Sequence, residues 1–231
     1  MTPSEQDRPA TTVWERPHGT RGPAPTFGLA DIAAVAIDLA EEGGLPAVST
    51  RRIAKALGMS QSALYRYVTS HDEVFDLMVD AAAGEIDLDV PLSGTVIDDL
   101  VALARRAKAV HVRRSWLLAI PVEALRVGPR GIDYLEFALR AMADADLPGP
   151  AKLQVIAVLN TLVQQFARTE IGDGTAGRHA AQAAYLGRVV GAGAHPCLAA
   201  AITPSDGVDA RAGDLFETVV RRVLRGMLTT D

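Results

Sequence analysis

A single cysteine, Cys197, occurs among 231 residues, which excludes an intramolecular disulfide framework and fits a reducing compartment. No run of 18 apolar residues exists, and the opening MTPSEQDRPATTVWERPHGT mixes acids and prolines without a hydrophobic segment. A membrane span, an anchor and a secretory leader are therefore not expected, and the cytoplasm is the expected location. Sustained apolar/polar alternation with β-branched enrichment between hairpin turns is also missing, so the fold class read from the sequence is all-α. The constellations that mark an enzyme lack parts. His179, His195 and Cys197 do not have zinc-ligand spacing, and Asp98 and Asp99 begin an acidic pair with Ala102 where a third Mg²⁺-binding acid would stand. No nucleophile, base and orienting acid can be grouped. The run from Gly172 to Gly177 matches G-x-G-x-x-G letter for letter, but it follows a helical pattern and no strand, so it reads as a connector. No cofactor, resident metal or catalytic role is expected.

The most informative absence is local. The chain carries 28 Asp and Glu against 23 Lys and Arg, yet no acid occurs from Gly43 to His71, a stretch that holds Arg51, Arg52, Lys55 and Arg66. Before this basic island, five of the 13 prolines fall within the first 25 residues, so residues 1–26 read as a largely disordered arm too polar to order itself. From there on the periodicity is helical, and with 48% hydrophobic residues the chain can bury a core. Leu29, Ile32, Ala33, Ala36, Ile37 and Ala40 form an i, i+3, i+4, i+7 stripe that stops at Gly43-Gly44, the glycine end expected of a helix.

The island itself divides into helix, tight turn and helix. Ser49 is placed to cap a short helix whose inward residues are Ile53, Ala54 and Leu57; Gly58 breaks it; Ser60 caps a second, from Gln61 to Tyr67, held inward by Leu64 and Val68. A DNA-binding helix-turn-helix needs a small residue where its helices cross, a glycine at the turn and an apolar residue beyond, and Ala54, Gly58 and Leu64 supply them in that order. Ser70 with Glu73 then forms a capping-box pattern that opens a further helix, Asp72 to Glu85, with Val74, Leu77, Met78 and Ala81 inward.

The run from Gly28 to about Met78, above all TRRIAKALGMSQSALYRYVTSHDEVFDLM, resembles the N-terminal DNA-binding domain of tetracycline-repressor-like (TetR family) transcriptional regulators. The resemblance implies a homodimer with a ligand-binding helical C-terminal domain. It divides the chain into the arm 1–26, a helix-turn-helix domain 27–72 and a ligand-binding and dimerisation domain 73–231. The sequence departs from the pattern at His71, where many relatives place a lysine, so a phosphate contact there would depend on pH.

Groove geometry assigns roles within the island. A recognition helix turns its N-terminal residues toward base edges, which makes Gln61, Ser62 and Ala63 the candidates to read sequence, Gln61 against an adenine and Ala63 against a thymine methyl. Thr50, Arg51, Tyr65, Tyr67 and His71 are placed for phosphates, which position without reading. Arg16 and Arg21 of the arm are candidates for a minor-groove contact, set against a role in solubility alone.

In the C-terminal part, residues 95–112 carry Leu100, Ala104, Ala107 and His111 on one stripe, and Ile132 to Ala145 resumes with Leu135, Leu139 and Met142 apolar. His111, Trp116, Tyr134, Asn160 and Gln164 are the candidate ligand-lining residues, with Phe137 a further cavity candidate; for each the alternative is a place in the core or in a subunit interface. The helix 152–168 is apolar nearly all round, and the helix 210–228 bears a wide double stripe of Leu215, Phe216, Val219, Val220, Val223, Leu224 and Met227. Together they suit a homodimer interface of four helices, with an intramolecular closing role for the last helix as the alternative. The function expected is a dimeric repressor that releases a palindromic operator when a small, mostly apolar inducer binds. The alternatives are a DNA-binding regulator answering to a protein partner, and a helical enzyme with an incidental helix-turn-helix.

Overall fold

The computed structural model describes residues 11–16, 27–120, 126–172, 176–202 and 212–229, and among these every regular element is helical. Ten α-helices run in the order α1 (Leu29–Gly43), α2 (Thr50–Ala56), α3 (Gln61–Leu64), α4 (His71–Ala83), α5 (Val96–Arg113), α6 (Pro129–Ala141), α7 (Gly149–Ile171), α8 (Ala176–Gly191), α9 (Pro196–Ile202) and α10 (Ala212–Leu228). The chain forms two compact units. The first is made of Met1–Pro91 with Arg113–Arg140, the second of Leu92–Val112 with Ala141–Asp231. This division departs from the boundary at residue 72 expected from sequence, because α4 and α6 belong with the helix-turn-helix.

In the first unit α1 buries Ile32, Ala33, Ala36, Ile37, Leu39 and Ala40 and ends at Gly44, whose φ of 69° is a conformation glycine adopts without steric cost. Helix α4 buries Val74, Phe75, Leu77 and Met78, with Ala82 inward in place of the expected Ala81. Helix α6 starts with proline at its first position, as a fixed φ favours. Two of its orphan amides are satisfied from another element: the buried Asp80 Oδ1 of α4 accepts from Arg130 N (2.9 Å) and Gly131 N (3.0 Å). The residue before, Gly128, touches Trp14 and Asp80 so closely that a Cβ would overlap Trp14 Cζ2 and lie 2.5 Å from Asp80 Cγ. Tyr134, Phe137 and Ala138 are turned inward, whereas of the expected stripe Leu135 and Leu139 are half-buried and Met142 is buried.

Residues 11–16, expected within the disordered arm, instead form a folded turn. Val13 is 1% exposed, and Arg16 donates to Glu73 Oε1 (2.5 Å), Glu73 Oε2 (3.1 Å) and Tyr67 O (3.2 Å). Residues 1–10 and 17–26, with Arg21, lie outside the described residues. Further cross-links join α1 and α4 to the segment after α5: Arg114 pairs with Glu41 (3.0 Å) and Glu85 (2.9 Å), and Arg126 with Asp72 (3.2 Å) and Asp76 (2.6 Å).

In the second unit α5 buries Leu100, Leu103, Ala104, Ala107 and Val110, α7 buries Val155, Ile156, Leu159, Val163 and Ala167, and α10 buries Phe216, Val220 and Leu224. Phe216 meets Phe166 edge to face at 5.2 Å and lies under Lys108 Nζ at 5.0 Å, while Lys108 pairs with Glu170. The acidic pair is structural: Asp98 binds Arg221 (2.5 Å), and the buried Asp99 accepts from Ser93 N (2.8 Å). Helix α7, apolar nearly all round in sequence, buries one flank within this chain and leaves Leu153 49% exposed and Val158 also exposed on another. The double stripe of α10 likewise splits, with Leu215 47% exposed and Val219 and Val223 half-buried.

Candidate nucleic-acid interface

Two serines and one glycine shape the island. Ser49 Oγ accepts from Arg52 N (3.3 Å) at the start of α2, and Ser60 Oγ from Ala63 N (3.2 Å) at the start of α3, so each helix has one of its orphan amides satisfied. Between them Gly58 takes φ 65° with open space where a Cβ would be. The glycine is therefore required by the backbone turn and not by crowding; alanine would be strained there by about 1 kcal/mol or more. Ala54 and Leu64 are buried where the two helices pack, and full burial of a leucine like Leu64 contributes about 1.5–3 kcal/mol. The second helix is α-helical only from Gln61 to Leu64; from Tyr65 to Tyr67 the chain continues in tighter turns, with Tyr67 N donating to Leu64 O at 2.8 Å. The expected span to Tyr67 thus holds as a winding path but not as one α-helix.

Ser70 Oγ caps α4 by accepting from Glu73 N (3.1 Å), but Glu73 does not complete the expected reciprocal box on Ser70. Its carboxylate accepts from Thr69 N (2.6 Å) and Thr69 Oγ1 (3.1 Å) and holds Arg16. Partial burial would raise the Glu73 carboxyl; the bonds from Arg16 and Thr69 outweigh it and hold it below the usual range.

Gln61 and Ser62 are exposed and Ala63 half-buried at the N-terminal end of α3. Gln61 Nε2 donates to Thr50 Oγ1 (3.1 Å), which ties a base-reading candidate to a phosphate-touching one, and Ser62 Oγ lies 3.0 Å from Ser60 Oγ. Arg51 and Tyr65 are exposed, and Tyr67 is half-buried. His71 Nε2 lies 2.9 Å from Val48 O, which can only accept, so that nitrogen carries the hydrogen; the ring also meets Phe75 edge to face at 4.4 Å. Arg52 is turned back on the fold, donating to Ala47 O (3.2 Å). Arg16, expected as a minor-groove candidate, is engaged by Glu73 and Tyr67. The run Thr12-Val13-Trp14-Glu15 just before it has the spacing of a capping box, and Glu15 Oε2 accepts from Thr12 N (3.2 Å) and Thr12 Oγ1 (2.9 Å), a local signal for the turn that does not point to Glu73.

The five ligand candidates separate. Trp116 and Tyr134 belong to the first unit and are buried there; Trp116 Nε1 donates to Glu41 Oε1 (2.9 Å), and burial pushes the Tyr134 phenol well up. His111, Asn160 and Gln164 belong to the second unit and are all half-buried. His111 Nδ1 donates to Ala107 O (3.0 Å); burial lowers the imidazole pKa, the bond to Ala107 opposes this, and the charge of Arg168 lowers it further, so the ring is held neutral. Among the described residues no three His, Cys, Asp or Glu side chains gather as a metal site, and no helix is long and apolar enough to cross a membrane.

Comparison with known proteins matches this geometry. Residues 32–78 match the model of bacterial regulatory proteins of the tetR family, and residues 90–230 match that of the tetracyclin repressor-like C-terminal domain. The HTH-type transcriptional repressor DrrR1 of Streptomyces coeruleorubidus is 29% identical over 218 residues, covering 90% of this chain and 80% of DrrR1. The fold is similar to that of the Streptomyces coelicolor TetR family protein ActR in complex with actinorhodin, with a TM-score of 0.73 at 21% identity over 88% of this chain and 96% of that one. It is also similar to a TetR variant from Acinetobacter baumannii AYE in complex with minocycline, with a TM-score of 0.61 at 13% identity over 89% of this chain and all (100%) of that one.

Proposed function

This chain belongs to the tetR family of bacterial regulatory proteins, and from that premise we propose that it is a dimeric repressor that leaves a palindromic operator when a small, mostly apolar molecule binds its second unit. The observation that carries the DNA-binding half is the acid-free surface of α2 and α3, where Arg51, Gln61 and Tyr65 stand exposed on capped helices around the Gly58 turn. Carboxylates facing phosphates would repel them at short range, and two acids bordering the island are engaged by its own cations and amides, Glu42 by Arg52 and Glu73 by Arg16 and Thr69. In this reading Gln61, Ser62 and Ala63 face base edges and Thr50, Arg51, Tyr65, Tyr67 and His71 face phosphates. The compartment it implies is the cytoplasm.

Dimerisation follows from the uncovered apolar flanks of α7 and α10. A single short recognition helix makes few contacts, and a second copy about one helical turn away, roughly 34–36 Å, supplies the rest and makes the operator an inverted repeat. For the ligand, His111, Asn160 and Gln164 are the polar groups of the second unit that we assign to orienting it; the complexes of ActR with actinorhodin and of the Acinetobacter TetR variant with minocycline support that reading. Trp116, bonded to Glu41, is read as a strut. An inducer acts only through different affinities for the DNA-bound and released states, and about 1–3 kcal/mol suffices for a 5- to 150-fold change. Helix α4 is the element we assign to carrying it.

Selection of bound sequences from a random DNA pool tests the DNA half. The parent should select an inverted repeat, Gln61→Ala should relax one base-pair position per half-site by about 1–3 kcal/mol, and Arg51→Ala should weaken all sequences alike. A motif unchanged by Gln61→Ala would reverse the orientation of α3. Screening organic compounds against the complex tests the other half, and a repressor that none of them releases while a protein partner does would replace it.

A further inference from the structure

The geometry points to Thr50 as a positioning residue that sets which base Gln61 accepts, by holding the Gln61 amide through the Gln61 Nε2 to Thr50 Oγ1 bond of 3.1 Å. The inference rests on the reading that α3 presents Gln61 to base edges. Both residues open a helix: Ser49 caps α2 immediately before Thr50, and Ser60 caps α3 immediately before Gln61. The turn at Gly58 thereby brings two first-turn side chains together across 11 residues of sequence. Thr50 is half-buried and β-branched, so its hydroxyl has few rotamers; Gln61 is exposed and flexible. The stiff group therefore orders the soft one.

Donor and acceptor counting gives the contact its consequence. A hydroxyl has one proton and two lone pairs, and a primary amide has two N–H donors and one oxygen. When Thr50 gives its proton to a phosphate oxygen, Oγ1 can only accept, and the Gln61 nitrogen must face it. The amide is left with one N–H and Oε1, the pair that meets adenine N7 and N6–H₂ side by side. Guanine offers two acceptors at that edge, N7 and O6, so Oε1 would face O6 with no proton between them. The reversed amide would take the Thr50 proton for Oε1 and leave the phosphate without a donor. Phosphate contact and base choice are thus joined through one hydroxyl, and without it the amide can turn and offer both N–H groups to guanine.

Selection from a random DNA pool, with melting curves to confirm folding, should be run on the parent, Gln61→Ala, Thr50→Val, Thr50→Ser and the Thr50→Val/Gln61→Ala pair. The parent is expected to favour adenine at one position by roughly 5- to 150-fold, the range of a bidentate pair. Thr50→Val, which keeps the shape and removes the hydroxyl, should relax the same position as Gln61→Ala, and the pair should relax it no further; Thr50→Ser should restore the preference. If Gln61→Ala relaxes the position while Thr50→Val weakens all sequences equally with the motif intact, Thr50 is a phosphate contact alone and the inference is overturned. If Gln61→Ala itself leaves the motif unchanged, the base-reading role of α3 falls and this inference with it.

Discussion

Both units take up polar groups with partners far away in sequence, the second through Lys108 with Glu170, Asp98 with Arg221 and Arg105 with Glu217, and they differ in the helix flanks they leave uncovered. In the first, Arg16 is taken up by Glu73, Trp116 by Glu41, Arg126 by Asp72 and Asp76, and the α6 amides by Asp80. In the second, the long helices α7 and α10 bury one flank each and leave Leu153, Val158 and Leu215 exposed. Charge-assisted bonds have narrow geometry, so they hold helices at set angles, which the first unit requires as a reader of a rigid duplex. Apolar contacts are non-directional and scale with area, so the second unit is suited to finishing its core with a second copy of itself.

The contrast breaks most severely if the uncovered flank of the second unit is charged. Val219→Asp should place an unpaired carboxylate in the proposed interface, cost several kcal/mol of association and give monomers in sedimentation. Since Val219 is half-buried and not in the inner stripe, helicity and the melting of the monomer should change little. An intact dimer would move the interface off this flank. Next in size is Gly128→Ala in the first unit, where the added methyl meets both Trp14 and Asp80; overpacking of this kind costs typically about 1–3 kcal/mol, read as a lower urea midpoint. An unchanged midpoint would show that the folded turn at residues 11–16 yields without cost.

The smallest effect sharpens the comparison through pH. His111 in the second unit has its pKa lowered below its unfolded value of about 6.5. Above that value the ring is neutral in both states and nothing changes. As the pH falls through it, the unfolded chain takes up a proton that the folded chain refuses, so stability is lost between the unfolded pKa and the lower folded one. Urea midpoints at about pH 7.5 and 5.5, either side of that value, should therefore diverge less for His111→Gln than for the parent.

Much of this was legible beforehand, for a local reason. Helix ends and turns are written in adjacent residues, so Ser49, Gly58, Ser60 and the Gly43-Gly44 stop could be placed from spacing alone, and the all-α class followed. The cross-links could not. Asp80 caps a helix 50 residues further on, and Arg16 reaches Glu73 across 57, pairs that leave no periodic trace. The α6 stripe is only partly legible: of Leu135, Leu139 and Met142 the last is buried, and Tyr134, Phe137 and Ala138 match a helical period as well as the two half-buried leucines do. The same limit applies to His111, Trp116, Tyr134, Asn160 and Gln164: helical spacing puts His111 on an inward stripe and Asn160 and Gln164 on one face, but it does not say which unit a residue joins, and Trp116 and Tyr134 lie in the first.

The wedge of Trp14 against Gly128 also sets a clock on synthesis. These residues are 114 positions apart, and at about 5–20 residues per second the ribosome delivers Gly128 roughly 6–23 s after Trp14. For that interval Trp14 waits without Gly128, while α1 to α4, which need only nearby chain, can already form and engage Arg16 through Glu73. The turn can thus be tied by Arg16 first and wedged by Trp14 later, so a chain arrested before Gly128 would carry a helix-turn-helix that is assembled but clasped on one side alone.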